Sequence, residues 1–186
     1  MNIHATFAEH RTVMDAALQL APSVEEAIAL LHACLAAHHK ILACGNGGSA
    51  AQAQHFAAEL VGRFRIDRRA LPALALTADT AALTAIANDA GYARVFARQV
   101  EALATPGDAL LAISTSGQSA NVIQAAKVAQ AGGCGIVAMT GADGGALASL
   151  ANVALRAPSR VVARAQEVHG VWIHILAQAL EEQADG

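Results

Sequence analysis

Residues able to do chemistry lie in four clusters. The first is Gly45-Asn46-Gly47-Gly48-Ser49, which ends the apolar run Ile41–Cys44 and passes directly into a helical stretch. A glycine-rich turn at a helix N-terminus offers unpaired amides to an anion, and the crevice beyond the carboxyl ends of parallel strands is the usual ligand site of an open α/β sheet. A phosphate suits this loop, and a tight strand-to-helix turn needing positive φ is its plain structural alternative. The spacing matches neither Gly-x-Gly-x-x-Gly nor Gly-Lys-Ser/Thr, so a dinucleotide or a nucleoside triphosphate is not indicated. The second cluster, Ser114-Thr115-Ser116-Gly117-Gln118-Ser119, ends the run Ala109–Ile113 and again enters a helical stretch. Its hydroxyls form a neutral cradle able to hold phosphate oxygens without Lys or Arg. Helix capping accounts for one or two of these hydroxyls and does not require four.

The third cluster is His55 with Glu59, four residues apart and so one turn apart on one helical face. That spacing serves a metal ion or a proton-transfer pair, although a solvent-facing pair has the same pattern. Position favours chemistry, because this helix begins at the first loop. The fourth is Gln166, Glu167, His169 and His174 on the closing helix. Gln166 and His174 are about 80° apart around an ideal helix and ~12 Å apart along it, so they reach one ion only by extending toward each other. With eight histidines in the chain, two on one helix are also compatible with chance.

The elements that must position these groups follow from the hydrophobic pattern. Apolar residues in the first ~40 positions recur at helical spacing, and Pro22-Ser23-Val24-Glu25-Glu26 divides them with a capping-box pattern pairing Ser23 and Glu26. Two helices therefore come first, over residues 1–39. From Lys40 the pattern changes to short apolar runs: Ile41–Cys44, Leu71–Leu76, Ala109–Ile113 and Gly135–Met139, with a weaker fifth at Asn152–Leu155. Each is followed by helical sequence, and runs apolar on both sides of the alternation are what a parallel sheet covered by helices requires. A long helix over Arg160–Glu182, opened by Pro158-Ser159, closes the chain. The expected fold is a three-layer αβα sandwich with a parallel sheet over residues 40–186, in one domain of 186 residues.

Composition narrows the partners. Twelve Lys plus Arg against 15 Asp plus Glu, a net charge of −3, give no field suited to nucleic acid or an anionic membrane. The longest charge-free stretch, Ala109–Ala126, is broken by Ser, Thr, Asn and Gln, so no membrane span is expected. The N-terminus carries Glu9, His10 and Arg11 where an export signal would be apolar. Cys34, Cys44 and Cys134 are odd in number and set in apolar surroundings, which fits buried thiols and a cytoplasmic protein. Helices apolar on more than one face point to a homo-oligomer.

The motifs Gly45-Asn46-Gly47-Gly48-Ser49, His55-Phe56-Ala57-Ala58-Glu59-Leu60, Ala87-Asn88-Asp89, Ser114-Thr115-Ser116-Gly117 and Gln166-Glu167-Val168-His169 with His174 resemble, in order, the bacterial phosphoheptose isomerases. These belong to the sugar-isomerase (SIS) domain superfamily, and the likeness runs from about Lys40 to Glu181. The resemblance implies a flavodoxin-like SIS fold, a tetramer with active sites at subunit interfaces, and conversion of sedoheptulose 7-phosphate to glycero-manno-heptose 7-phosphate for surface glycans such as lipopolysaccharide. It implies one zinc ion per subunit held by His55, Glu59, Gln166 and His174. Substrate would be held by Asn46, Gly47, Gly48, Ser49, Glu59, Asn88, Asp89, Ser114, Thr115, Ser116, Ser119 and Gln166.

Moving a carbonyl from C2 to C1 requires a base and an acid flanking two adjacent carbons of an enediol. The resemblance assigns Glu59 as base and His174 as acid. The chain departs from the family pattern at Gln52, where an Asp is usual, and more mildly at Gln118 for Asn and Arg69 for Pro. Two other roles share the scaffold: a non-catalytic regulator that binds the bacterial replication initiator, and an isomerase for another phosphosugar. The first is distinguished by lacking residues equivalent to Glu59 and His174.

Overall fold

The computed structural model describes residues 2–184. The chain opens with helix α1 (Ile3–Ala17), continues through a 3₁₀ turn at Leu18–Leu20 and enters α2 (Ala21–Ala36). The core then runs β1 (Ile41–Gly45), α3 (Gly48–Val61), β2 (Ala73–Ala75), α4 (Thr80–Ala90), α5 (Ala97–Leu103), β3 (Ala109–Ser114), α6 (Ala120–Ala131), β4 (Gly135–Thr140), α7 (Gly145–Ala148), β5 (Val153–Arg156) and α8 (Val162–Glu182). All strand pairings are parallel, in the order β2-β1-β3-β4-β5.

The two central strands β1 and β3 are buried along their whole length, and their side chains alternate between two cores. Ile41, Ala43, Leu111 and Ile113 face one layer with Leu31 of α2, Phe56 and Leu60 of α3, and Trp172 and Leu176 of α8. Leu42, Cys44, Leu110 and Ala112 face the other with Val100 of α5, Val122 and Ala126 of α6, and Leu147 of α7. This is the reason each strand reads as an unbroken apolar run: the period-2 alternation sorts side chains between two dry faces, not between core and water.

The β2 run expected over Leu71–Leu76 pairs only at Ala73–Ala75. It is an edge strand entered through Pro72, which has no amide to give to a ladder, and short edges limit unwanted strand pairing. The capping box expected at Ser23 and Glu26 does not form. Helix α2 begins three residues earlier, capped at Leu20 without any side-chain bond, with Pro22 in its first turn. The 3₁₀ turn hands the chain from α1 to α2 so directly that no extended cap residue intervenes, and Pro22 finds the fixed φ and missing amide it tolerates. All three cysteines are buried and free. Among the described residues, no helix is long and apolar enough to cross a membrane.

Candidate functional site

The connection from β1 through α3 to β2 packs on one face of the sheet, and that from β3 through α6 to β4 packs on the other. Neighbouring strands β1 and β3 therefore send their chains in opposite directions, which opens a crevice at their carboxyl ends. A cavity of ≈ 330 Å³ lies there, lined by Asn46, Gly47, Gly48, Ser49, Ser114, Thr115, Ser119, Val162 and Gln166 together with Ile113. Both loops picked out by composition thus meet in one place, joined by the first turns of α8.

Local backbone chemistry explains the loop sequences. Gly47 caps α3 with φ +55°, a conformation costly for any residue with a Cβ. A side chain at Gly45 would stand 2.8 Å from the Ser49 backbone, so only glycine lets the helix start this close to the strand. Ser119 caps α6 without a side-chain bond to that helix; its hydroxyl instead meets Ser114 Oγ at 2.9 Å. Ser116 Oγ accepts from the Gln118 amide at 3.1 Å, and this hydroxyl holds the turn without lining the cavity. Among the described residues, no Lys or Arg lines the cavity. What makes it suited to an anion is the approach of three helix N-termini, those of α3, α6 and α8, each the positive end of a helix dipole.

Asn46 is held by residues that no sequence motif marks. Its Nδ2 donates to Asn121 Oδ1 at 2.8 Å, Asn121 Nδ2 donates back to Asn46 Oδ1 at 2.8 Å, and Tyr92 OH donates to the same oxygen at 3.0 Å. Asn121 is buried in the first turn of α6, so this amide pair bolts the β1 loop to the β3 loop. Neither Asn121 nor Tyr92 sits in a pattern that could have signalled it.

Farther along α3, His55 Nε2 lies 2.8 Å from Glu59 Oε1 and 3.4 Å from His174 Nε2. The three donor atoms all fall within 4.8 Å of one another at the molecular surface. Two imidazole nitrogens and a carboxylate oxygen are a ligand set suited to zinc, and donors around a tetrahedral zinc stand about 3.3 Å apart, close to the His55–His174 spacing. The residues present fit such an ion. Gln166 is placed with the anion cavity: its amide lies so near Gly48 that a Cβ there would meet Nε2 at 2.6 Å. Gln52 Nε2 donates to the Gln166 carbonyl at 2.7 Å, tying α3 to α8 between the cavity and the triad.

The other members of the α8 motif have structural work. Glu167 binds His10 Nδ1 at 2.6 Å and Arg164, securing α1. His169 is buried against Trp172 and its Nε2 donates to the Thr140 carbonyl at 2.9 Å; desolvation lowers its pKa against the opposing effect of that bond, which keeps the ring neutral. Asn88 and Asp89 lie exposed at the end of α4, bonded to each other at 2.7 Å, and do not line the cavity within this chain.

The sheet order and the crevice at its switch point define a doubly wound, flavodoxin-like parallel α/β domain, and the SIS domain family model matches residues 7–141. The chain is 52% identical over 174 residues to the phosphoheptose isomerase of Shewanella loihica, a match covering 92% of this chain and 88% of that one. Among solved structures, phosphoheptose isomerase GmhA from Neisseria gonorrhoeae superposes with a TM-score of 0.92 at 46% identity, covering 97% of both chains. A phosphoheptose isomerase from Francisella tularensis superposes with a TM-score of 0.94 at 36% identity, covering 97% of this chain and 96% of that one. The chain belongs to the SIS domain family and, within it, to the phosphoheptose isomerases.

Proposed function

We propose that this chain is a zinc-dependent isomerase converting sedoheptulose 7-phosphate to D-glycero-D-manno-heptose 7-phosphate, supplying heptose for lipopolysaccharide or other surface glycans. The observation that carries the reading is that one helix, α3, opens the anion cavity at Gly48 and presents His55 and Glu59 beside His174 farther along. Relatives named phosphoheptose isomerase at about half identity support it, and they do not favour a non-catalytic regulator or another phosphosugar.

The phosphate sits against the Gly48, Ser49, Ser114 and Ser119 cradle, where hydroxyls and helix N-termini offset its charge. His55, Glu59 and His174 would hold zinc, with Gln166 a fourth donor once its amide turns away from the Gly48 side of the cavity, and the ion when bound would supply Lewis-acid polarisation of the carbonyl. Glu59 Oε1 is the atom beside His55, so the second carboxylate oxygen is the one offered to the substrate proton. Glu59 removes a proton from one carbon, and His174 delivers one to its neighbour through the enediol. Asn88 and Asp89, exposed at the end of α4, serve the site of a neighbouring subunit in a homotetramer in the cytoplasm.

The test is turnover of sedoheptulose 7-phosphate by Glu59→Gln and His174→Ala. Each is expected to lose about 10²-fold or more in kcat with an unchanged circular dichroism spectrum. Dialysis against a chelator should remove one zinc per chain together with the activity, and added Zn²⁺ should restore both. Wild-type turnover in both variants would remove the catalytic assignment; full activity in the metal-free protein would remove the zinc.

A further inference from the structure

Between α3 and β2 the chain crosses residues 63–70 with no regular structure, yet this segment reaches the triad. The Phe64 ring stacks on the His174 ring, with centroids 5.5 Å apart and planes 28° apart. The segment has no helix or strand of its own to hold Phe64 there. What holds it is a carboxylate at the far end of α8. Glu181 is 1% exposed, and it accepts hydrogen bonds from three successive amides: Phe64 N at 2.9 Å, Arg65 N at 2.8 Å and Ile66 N at 3.2 Å. Desolvation raises its pKa, but the three amides and the neighbouring Arg68 outweigh that and hold it below the usual carboxylate range.

Arg68 completes the arrangement. Its guanidinium approaches Glu181 at 3.4 Å and donates to Glu59 O at 2.8 Å and Leu60 O at 2.9 Å. Those carbonyls belong to the last turn of α3, where no helical amide remains to pair with them and a cation is favoured by the helix dipole. One buried ion pair therefore grips both sides of the triad. Arg68 fixes the backbone of Glu59, and Glu181 fixes the segment whose phenyl ring confines His174.

We propose that Glu181 and Arg68 are positioning residues for the isomerase site, acting on His174 through the stacked ring of Phe64 and on Glu59 through its backbone carbonyl. The proposal rests on the assignment of Glu59 and His174 above. An imidazole at the surface, exposed on one side, has free rotation about its side-chain bonds; a ring stacked on it leaves Nε2 directed at His55. The anion cavity is built by different residues, so substrate binding and positioning separate in the kinetics.

The experiment compares Phe64→Leu, Phe64→Tyr and Glu181→Gln with the wild type, with His174→Ala as reference. Phe64→Leu keeps apolar bulk and loses the stacked ring, and is expected to lower kcat about tenfold with KM for sedoheptulose 7-phosphate within about twofold. Phe64→Tyr keeps the ring and is expected to retain near wild-type kcat. Glu181→Gln places an amide NH₂ against backbone N–H donors, and is expected to reproduce the kcat loss at unchanged KM. Affinity for Zn²⁺ alone, measured by equilibrium dialysis, should weaken about tenfold in Phe64→Leu and not in Phe64→Tyr. Wild-type kcat and Zn²⁺ affinity in Phe64→Leu, alongside an inactive His174→Ala, would overturn the positioning role while leaving the site assignment standing. Full activity of His174→Ala would overturn the assignment itself. If Glu181→Gln raises KM and lowers kcat in proportion, or only lowers Tm, the carboxylate is a structural staple and the proposal fails.

Discussion

Replacing Gly48 by alanine separates stability from function at a single methyl group. Gly48 is the first residue of α3, and its φ lies outside the positive range that excludes L side chains, so the backbone accepts alanine. Helix propensity then leaves stability unchanged or raises it by at most about 1 kcal/mol. The added Cβ would stand 2.6 Å from Gln166 Nε2, 3.0 Å from its Oε1 and 3.1 Å from its Cδ. To reach an ordinary contact of 3.4 Å, the amide must retreat by about 0.8 Å. The neighbour is the end of a flexible side chain, so the strain is relieved by swinging Gln166 out of the cavity, at little cost to folding. A shift near 1 Å of a substrate-positioning group costs up to about 10²-fold, so kcat/KM for sedoheptulose 7-phosphate should fall by about 10- to 100-fold. Thermal unfolding of the same preparation should show an equal or slightly higher Tm. In the double variant Gly48→Ala/Gln166→Ala the loss should not exceed that of Gln166→Ala alone, because both act through one side chain. A kcat/KM within twofold of wild type, or additive losses in the double variant, would refute the role given to this contact.

Two further outcomes follow from buried ionisable groups. Asp108 is buried and accepts from Lys40 N at 3.0 Å, Thr105 N at 2.7 Å and Thr105 Oγ1 at 3.0 Å, with the Lys40 ammonium beside it. Desolvation raises its pKa, but these donors outweigh it and the folded pKa is depressed. Its stabilisation is therefore complete above the unfolded carboxylate pKa and lost as pH falls through the lower folded value. Asp108→Asn should cost about 2 kcal/mol in urea unfolding at pH 7, where half-exposed Lys40 adds little, and the gap should narrow below about pH 4. A pH-independent difference would count against the assignment. Burial pushes the Cys44 thiol up to about 12 and, with Asp108 nearby, Cys34 up to about 11. Neither should react with a thiol reagent at pH 8 until the protein unfolds, and rapid labelling of native Cys44 would contradict its placement.

The inner strands β1, β3 and β4 are legible in the sequence because both of their faces are dry. Leu110 and Leu111 are buried on opposite sides, and a short apolar run without alternation, bounded by glycine and hydroxyl residues, suits a doubly covered strand better than a half-exposed one. The two loops are legible for a related reason, since glycine and hydroxyl residues cluster where a strand turns tightly into a helix beside the cavity. Helical spacing puts His55 and Glu59 on one face, and what singles them out from a solvent-facing pair is that their helix begins at the first loop. Convergence is what sequence does not deliver. His174 is 119 residues from its contact with His55, and helical geometry along α8 says nothing about which neighbour it meets. Groups acting through backbone are hidden as well. Glu181 looks like any surface acid at a helix end, yet its partners are three amides, which leave no trace in side-chain pattern. Gln52 reads in the sequence as the loss of a charge. In the fold it donates to the Gln166 carbonyl, a bond that a carboxylate at this position has no proton to make.

Helix α3 also sets a length. His55 lies seven residues beyond Gly48, so the anion loop and the triad are separated by about 10 Å of helix rise. Glu59 is one turn farther, but side chains on a helix lean toward its N-terminus, which brings the carboxylate back toward His55. An extended seven-carbon phosphate spans about 10 Å from its first carbons to phosphorus, at roughly 1.3 Å of extension per bond. A ligand anchored between Gly48, Ser114 and Ser119 thus presents C1 and C2 to Glu59 and His174 only if the chain is long enough. Each carbon removed leaves a gap of about 1.3 Å that the phosphate must close by leaving its cradle. Fructose 6-phosphate and ribulose 5-phosphate should therefore show kcat/KM values falling by about tenfold per missing carbon, with the loss mainly in kcat because the phosphate contacts are common to all three. Equal kcat/KM for the six- and seven-carbon ketoses would mean that the phosphate does not sit at the N-terminus of α3, and the placement of substrate along this helix would have to be abandoned.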